Sequence, residues 1–531
     1  MSQRSRALVA LSVLALGGCT LDFDPRLLDR LGPRCELGPM APLGLEEIPL
    51  DLPQPLRNGI VLEDLDGDSD LDLLVADAEG VAPSSGDMDQ RTGFALETTA
   101  LGCEAATLAD VSDAWLGALA PGVHDQISVL LAVPLIDAHF DLIAPGYFSS
   151  GRARRGQEGT PRWTPMETFF VPDGDGNLAG GAAAAGDLDG DGRLDVVLGA
   201  HGETPGRVLL GEARGTLRAL APDARLAGVY RVWIVDVDTD GVQEVIALPE
   251  DDMGPARLLR LEGESLVDDD GLAGVSELST IAQLAWGDLD LDGDLDVFEI
   301  RMEPAGLYPV VLENVEGVLT PRLAGELRGI GGTEWNFGNA GPGYAFGLAD
   351  LDLDGLLDVV MTDGRIDIYR NATSLGAEGT SFNFAALGGT LLATEIASQG
   401  SRIAVGDLEG DGDVDIAVTS QLGAHLLRNT VSGVPWLRVR LRGPDGNTRG
   451  VGAIVCAFAP GTLPADGSCR GPGLIGMRVI QSSTAQLAAL EASIATPGQT
   501  RVDVRVVWPS GLGVTDTRAV RVPRGLFVGL P

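Results

Sequence analysis

The chain has 531 residues, 44% of them hydrophobic, with 73 Gly and 31 Pro, which is enough for two or three domains or one long repeat array. Its 77 acids against 37 bases give a formal net charge of −40, and every base is Arg. Such acidity argues against nucleic-acid partners and against docking on an anionic membrane surface, because both need clustered cations.

In chain order the first feature is an export signal. Arg4 and Arg6 precede an apolar run from Ala7 to Leu16, and Leu16-Gly17-Gly18-Cys19 follows. The run is too short to span a bilayer as a mature helix. Its ending resembles a bacterial lipobox, which implies cleavage before Cys19 and acylation there. Residues 1–18 are thus expected to be a lipoprotein signal peptide, and the mature chain to be lipid-anchored in the cell envelope, outside the cytoplasm. An ordinary signal peptide with a chance Cys is the alternative. Residues 19–50 are Pro- and Leu-rich and are expected to form a tether and a ring-closing strand. Cys35 and Cys103 are candidates to pair, as are Cys456 and Cys469; buried free thiols are the alternative.

A nine-residue element then recurs, Asp-x-Asp-x-Asp-Gly-x-x-Asp, with an apolar run on either side. The first copy holds Asp64, Asp66, Asp68, Asp70 and Asp72, and the second Asp187, Asp189, Asp191 and Asp195. The third holds Asp236, Asp238, Asp240 and Glu244, and the fourth Asp288, Asp290, Asp292, Asp294 and Asp296. The fifth holds Asp350, Asp352, Asp354 and Asp358, and the sixth Asp407, Glu409, Asp411, Asp413 and Asp415. Successive spacings are 123, 49, 52, 62 and 57. The long first gap hides a degenerate copy at 133–141, which keeps Asp137 and Asp141 but has Val133 and Leu135 in the first and third places. Seven copies with a period near 55 residues predict an all-β fold, a seven-bladed β-propeller over 51–430, followed by a small β domain over 431–531. Short β-branched runs flank the loops, such as Val232 to Val235 and Val245 to Leu248. A solenoid is the rival architecture, with repeats that are usually shorter.

The loops are expected to hold about six calcium ions. Alternate Asp residues in an extended chain point to opposite faces, so convergence requires a curled loop. Gly in the sixth place of five intact copies permits that turn. Two carboxylates about 4 Å apart repel by roughly 4 kcal/mol near a protein surface, and a hard divalent cation with a flexible oxygen shell removes the conflict. The seventh place is read as a backbone-carbonyl ligand, since Asp70, Arg193, Val242, Asp294, Leu356 and Asp413 share no side-chain chemistry. The twelfth-place Glu of an EF-hand is missing from five of the six copies. Simple Asp-Gly turns are the bland alternative.

These loops resemble the FG-GAP and VCBS repeats of the integrin α-subunit propeller and its bacterial relatives, through Gly186-Asp187-Leu188-Asp189-Gly190-Asp191-Gly192 and Gly406-Asp407-Leu408-Glu409-Gly410-Asp411-Gly412. The resemblance implies seven blades, calcium in loops that brace each blade, and a binding surface elsewhere. Past residue 433, the segments Trp436 to Leu441, Asn447 to Ala453 and Val507 to Gly511 resemble the ASPIC/UnbV domain of proteins similar to cartilage acidic protein. Ser493-Ile494-Ala495-Thr496 departs from that family's Phe-Gly-Leu-Gly. The expected function is non-enzymatic: a propeller whose exposed loops bind a protein or glycan partner, as in adhesion. An envelope scaffold and a polysaccharide-active enzyme are the alternatives. The four histidines His124, His139, His201 and His425 form no catalytic or metal-type spacing.

Overall fold

The computed structural model describes residues 39–48, 50, 52, 59–66, 70–76, 93–99, 107–112, 131–135, 140–144, 152–155, 164–165, 182–200, 202–213, 216–249, 255–278, 284–303, 306–315, 317–322, 345–362, 366–376, 379–386, 402–420 and 423–530. The acylation candidate Cys19, the pair Cys35 and Cys103, and Asp68 lie outside the described residues.

Short runs rich in Val, Ile, Leu and Ala, broken by the acidic loops, fold as local meanders. In one of them Ala182–Gly186, Asp195–Gly199, Arg207–Glu212 and Thr216–Ala219 pair antiparallel in sequence order. Among the described residues seven four-stranded antiparallel units of this kind follow one another. Their first strands are Gly59–Glu63, Leu131–Val133, Ala182–Gly186, Val229–Val235, Leu284–Gly287, Ala345–Ala349 and Arg402–Gly406, which open blades 1 to 7. Both faces of each sheet are apolar because each packs on its neighbours. Ala182 and Val197 of blade 3 share a core with Val232, Ile234 and Val245 of blade 4. The blades approach so closely that a Cβ on Gly186 would lie 2.3 Å from Ile234 Cγ2, and one on Gly406 2.7 Å from Leu71 Cδ1.

Closure comes from two sides. Leu62 and Leu71 of blade 1 share a core with Leu408 and Ala417 of blade 7. The N-terminal strand Leu45–Ile48 is the outermost strand of blade 7, in register from Leu45 opposite Asn429 to Ile48 opposite Leu426. The molecule is a β-propeller, and its last blade is completed by the start of the chain.

Beyond blade 7 the chain forms two packed sheets. One orders Ala492–Ala495, Trp436–Arg442 and Arg524–Gly529; the other orders Leu474–Val479, Ile454–Phe458, Arg501–Trp508 and Gly513–Arg521. Their core is continuous with the propeller's: Leu437, Val439, Val504 and Trp508 belong to one cluster with Val61, Leu142 and Val196. A disulfide joins Cys456 to Cys469.

Between Val479 and Ala492 the chain leaves this sandwich and enters the centre of the ring. Ser482–Ser483 pairs antiparallel with Ala184 and Ala185 of blade 3, and Leu487–Ala488 pairs parallel with Ala404 and Val405 of blade 7. Ser483 Oγ donates to Val232 O of blade 4 at 2.6 Å, and Thr484 Oγ1 to Ala183 O at 3.0 Å. Gln486 Nε2 donates to Trp286 O of blade 5 at 3.0 Å, and Leu490 N–H to Glu63 of blade 1 at 2.8 Å. Within its own blade each first strand has an edge without a ladder partner, and buried peptide groups there need donors and acceptors. Small hydroxyl residues fit the narrow channel and supply them. The C-terminal sheets cover the loop face and this segment fills the channel.

Candidate metal centres

Each acidic loop begins one residue after a blade's first strand and ends on the first residue of its second. The ninth-place residues Asp72, Asp195, Glu244, Asp296, Asp358 and Asp415 all open strands. Sixth-place glycines adopt the left-handed backbone, with φ of +86° at Gly192, +91° at Gly241, +93° at Gly293, +103° at Gly355 and +100° at Gly412. The fourth place is left-handed as well: Gly190, Thr239, Leu291, Leu353 and Gly410 have φ between +59° and +75°. For Thr and Leu that conformation costs about 1–2 kcal/mol each, so the loop needs other support to hold it.

Part of that support is the ninth acid. Asp195 accepts the N–H of Leu188 at 2.8 Å and of Gly211 at 2.8 Å. Asp358 accepts from Leu351 at 2.9 Å and Asn371 at 2.8 Å, and Asp415 from Leu408 and Asn429, both at 2.8 Å. The carboxylate thus ties the loop to the third strand as well as facing its centre. Adjacent loops are also joined: Asn371 Nδ2 donates to Leu289 O and Asn429 Nδ2 to Leu351 O, each at 2.8 Å across a blade boundary. These Asn residues stand at the ends of the third strands, and because the contact is between blades it leaves no local signal in the sequence.

Four loops bring the first, third and ninth acids together. Asp187, Asp189 and Asp195 each offer an oxygen within 4.8 Å of the others, as do Asp236, Asp238 and Glu244; Asp288, Asp290 and Asp296; and Asp350, Asp352 and Asp358. These acids could hold a metal ion. The fifth-place residues Asp191, Asp240, Asp292 and Asp354 stand outside those triads; each instead accepts the N–H two residues on, at 2.8 to 3.0 Å. In the seventh place the side chain is indifferent at Val242, which is exposed, but not everywhere. Arg193 pairs with Asp191, Asp294 is buried against Arg470, and Asp413 is buried with neither oxygen partnered.

The first acid gives the sharpest test of fit to a cation. Asp236 accepts Gly241 N–H through Oδ2 at 3.0 Å, and Asp350 accepts Gly355 N–H through Oδ2 at 3.0 Å. The other oxygen of each, Asp236 Oδ1 and Asp350 Oδ1, is buried without a hydrogen-bond partner, as is Asp288 Oδ2. Burial, followed by repulsion from Asp238 and Asp240, pushes Asp236 up to about 7. Burial lifts Glu244 to about 9 and Asp195 to about 7, although each accepts backbone N–H bonds that oppose the rise. An all-oxygen donor set, buried, under-satisfied and mutually repelling, suits a hard cation of calcium's size and flexibility.

The C-terminal domain stands directly over these loops. Arg440 reaches Asp64 at 3.0 Å and Arg449 reaches it at 3.5 Å. Arg478 lies 3.7 Å from Asp350, Arg438 lies 4.0 Å from Asp407, and Arg470 pairs with Asp294. Arg438 and Arg440 alternate on one strand and form a polar face that is buried. Glu491 sits between them and accepts from both at 2.8 Å. Trp233 and Trp286 are buried between blades, as core side chains.

Two stretches match repeat families. An FG-GAP repeat model covers residues 179–212, and an FG-GAP-like repeat model covers 350–418. No curated protein matches the chain significantly. Among solved structures the chain is similar to rhamnogalacturonan lyase YesW, at 15% identity and a TM-score of 0.34 over 72% of this chain and 75% of that one. It is also similar to BBS1N in complex with ARL6DN, at 10% identity and TM-score 0.39 over 73% and 96% of the two chains. The BP39L lectin from Burkholderia pseudomallei gives 11% identity and TM-score 0.38 over 70% and 98%. All three scores lie below 0.5, so the propeller rests on its own sheets and not on these likenesses.

Proposed function

We propose that the chain is a calcium-stabilised binding module held outside the cytoplasm by a lipid on Cys19, with a protein or glycan as its partner. The observation that carries the calcium assignment is the set of buried first-place oxygens on Asp236, Asp288 and Asp350 that have no hydrogen-bond partner while facing acids of their own loops. FG-GAP matches on two of the loop-bearing stretches support it. The disulfide Cys456–Cys469 supports an oxidising compartment, and Arg4, Arg6 and Leu16-Gly17-Gly18-Cys19 support export and acylation. With the loop face and the channel taken up by the C-terminal domain, the partner surface is assigned to the opposite face and the rim. The domain itself is proposed to be of the ASPIC/UnbV type. The test is capture of envelope proteins and glycan-array binding by the full chain, with calcium and with chelator. Loss of a specific ligand on chelation supports the module; equal binding in both removes calcium from the account.

A further inference from the structure

The six intact loops differ in what besides a metal neutralises them. The loop at 236–244 carries four acids, and among the described residues no arginine pairs with any of them; the C-terminal domain meets it through Gly511 and through Gly452, which packs on Gln243. At 187–195 the domain likewise brings neutral groups, Ser510 and Pro444 among them. The other four loops receive guanidinium groups from the domain. Arg440 and Arg449 sit on Asp64, Arg470 on Asp294, Arg478 on Asp350, and Arg438 on Asp407. Arg470 stands beside the loop whose Asp288, Asp290 and Asp296 converge within 4.8 Å. Arg438 and Arg440 stand on Trp436–Arg442 of one sheet, Arg478 on Leu474–Val479 of the other, and Arg449 and Arg470 in loops.

We propose that the C-terminal domain is a built-in competitor for cations, one that leaves the site at 236–244 untouched and weakens those at 288–296 and 350–358, whose loading is linked to how firmly the domain is docked. The inference rests on the calcium assignment above and adds a regulation to it. A guanidinium next to a carboxylate lowers the negative potential that a divalent ion would feel. By reciprocity, ions entering those two loops weaken the hold of the arginines, and removal of the arginines tightens the ions. The domain thereby holds the loop face together when calcium is scarce, and the ions take over part of that task as calcium rises.

The experiment is a calcium titration of the full chain in metal-stripped buffer, by calorimetry or equilibrium dialysis with radioactive calcium, on wild type and on Arg470→Gln and Arg478→Gln. Arg470 is the safer site because its side chain is 46% exposed. Arg218→Gln, on the outer rim of blade 3 where Arg218 pairs with Glu212 and Glu264, is the control. Wild type is expected to show two classes of site. Arg470→Gln should tighten one weak site, and Arg478→Gln one or two, by about threefold to tenfold, the order expected when a unit charge about 7 Å from a divalent ion is removed in a high dielectric. Both variants should melt lower than wild type in chelator and recover most of the difference in millimolar calcium, while Arg218→Gln changes neither. If wild type binds calcium and both variants bind it with unchanged affinities, the competition is wrong and the calcium assignment stands. If wild type binds no calcium, both fall together.

Discussion

In blade 4 the loop from Asp236 to Glu244 gathers three carboxylates within 4.8 Å and meets the C-terminal domain through glycine. In blade 7 the loop from Asp407 to Asp415 carries five acids; Arg428 reaches Glu409 at 3.7 Å, and Arg438 reaches Asp407. The triad of first, third and ninth acids that closes in four other loops is not among the close groups here, where Glu409 is one methylene longer than the Asp in its place. One motif is thus held in two ways. Blade 4 depends on whatever its carboxylates bind, and blade 7 draws part of its neutralisation from arginines of its own third strand and of the C-terminal domain. The lesson is that the repeat fixes the shape of a loop, whereas its charge balance is set by what docks on it.

The largest effect should come from cutting the protein-based half of that contrast. Glu491 is buried between Arg438 and Arg440, and Arg440 passes the connection on to Asp64, so the group links blades 1 and 7. Glu491→Gln removes the carboxylate that two buried guanidiniums share and is expected to cost about 3–5 kcal/mol in denaturant unfolding with calcium present. A loss under 1 kcal/mol would show that the clamp is incidental.

Acidity sharpens the ion-based half. Burial, above all, pushes Asp236 up to about 7, Glu244 to about 9 and Asp407 to about 8 when no metal is bound. The folded state then keeps these protons to a higher pH than the unfolded chain does. Stability is therefore full in acid and declines as pH rises from the ordinary carboxylate range of about 4 through these values. Melting curves between pH 5 and 9 without metal should fall steadily, and saturating calcium should flatten the slope. A metal-free protein that grows more stable toward pH 9 contradicts the arrangement.

A smaller effect separates the loop from its cover. Gly241 and Gly293 share a left-handed backbone, but a Cβ on Gly241 would meet only Gly511 N at 3.8 Å, while one on Gly293 would lie 2.7 Å from Cys469 O. Gly241→Ala should cost about 1–2 kcal/mol from the backbone alone. Gly293→Ala should cost more, because the docked domain must also shift. Equal costs would mean that the domain rides loosely over blade 5.

Much of the propeller was legible because its information is local. The Asp-x-Asp-x-Asp-Gly element marks the turn between the first two strands of a blade, and even the degenerate copy at 133–141 falls between Leu131–Val133 and Asp141–Ala144. The ring-closing strand was legible too, within the Pro- and Leu-rich segment that precedes the first repeat, where Leu45–Ile48 forms it. What could not be read has long reach and ordinary composition. Ser482 to Gln486 looks like a polar loop, and only the unpaired strand edges of a closed ring give its hydroxyls a purpose. Arg438 and Arg440 read as the wet face of a strand because nothing near them in sequence shows that acidic loops lie above. The fourth-place turn at Thr239, Leu291 and Leu353 was hidden because neither Thr nor Leu announces a left-handed backbone.

If divalent ions hold these loops together, thermal unfolding of the full chain will show it. Millimolar calcium should raise the melting temperature well above that in metal-stripped buffer, with equal magnesium giving much less, since the loops offer a wide, flexible oxygen shell. Superimposable melts in all three conditions would contradict it.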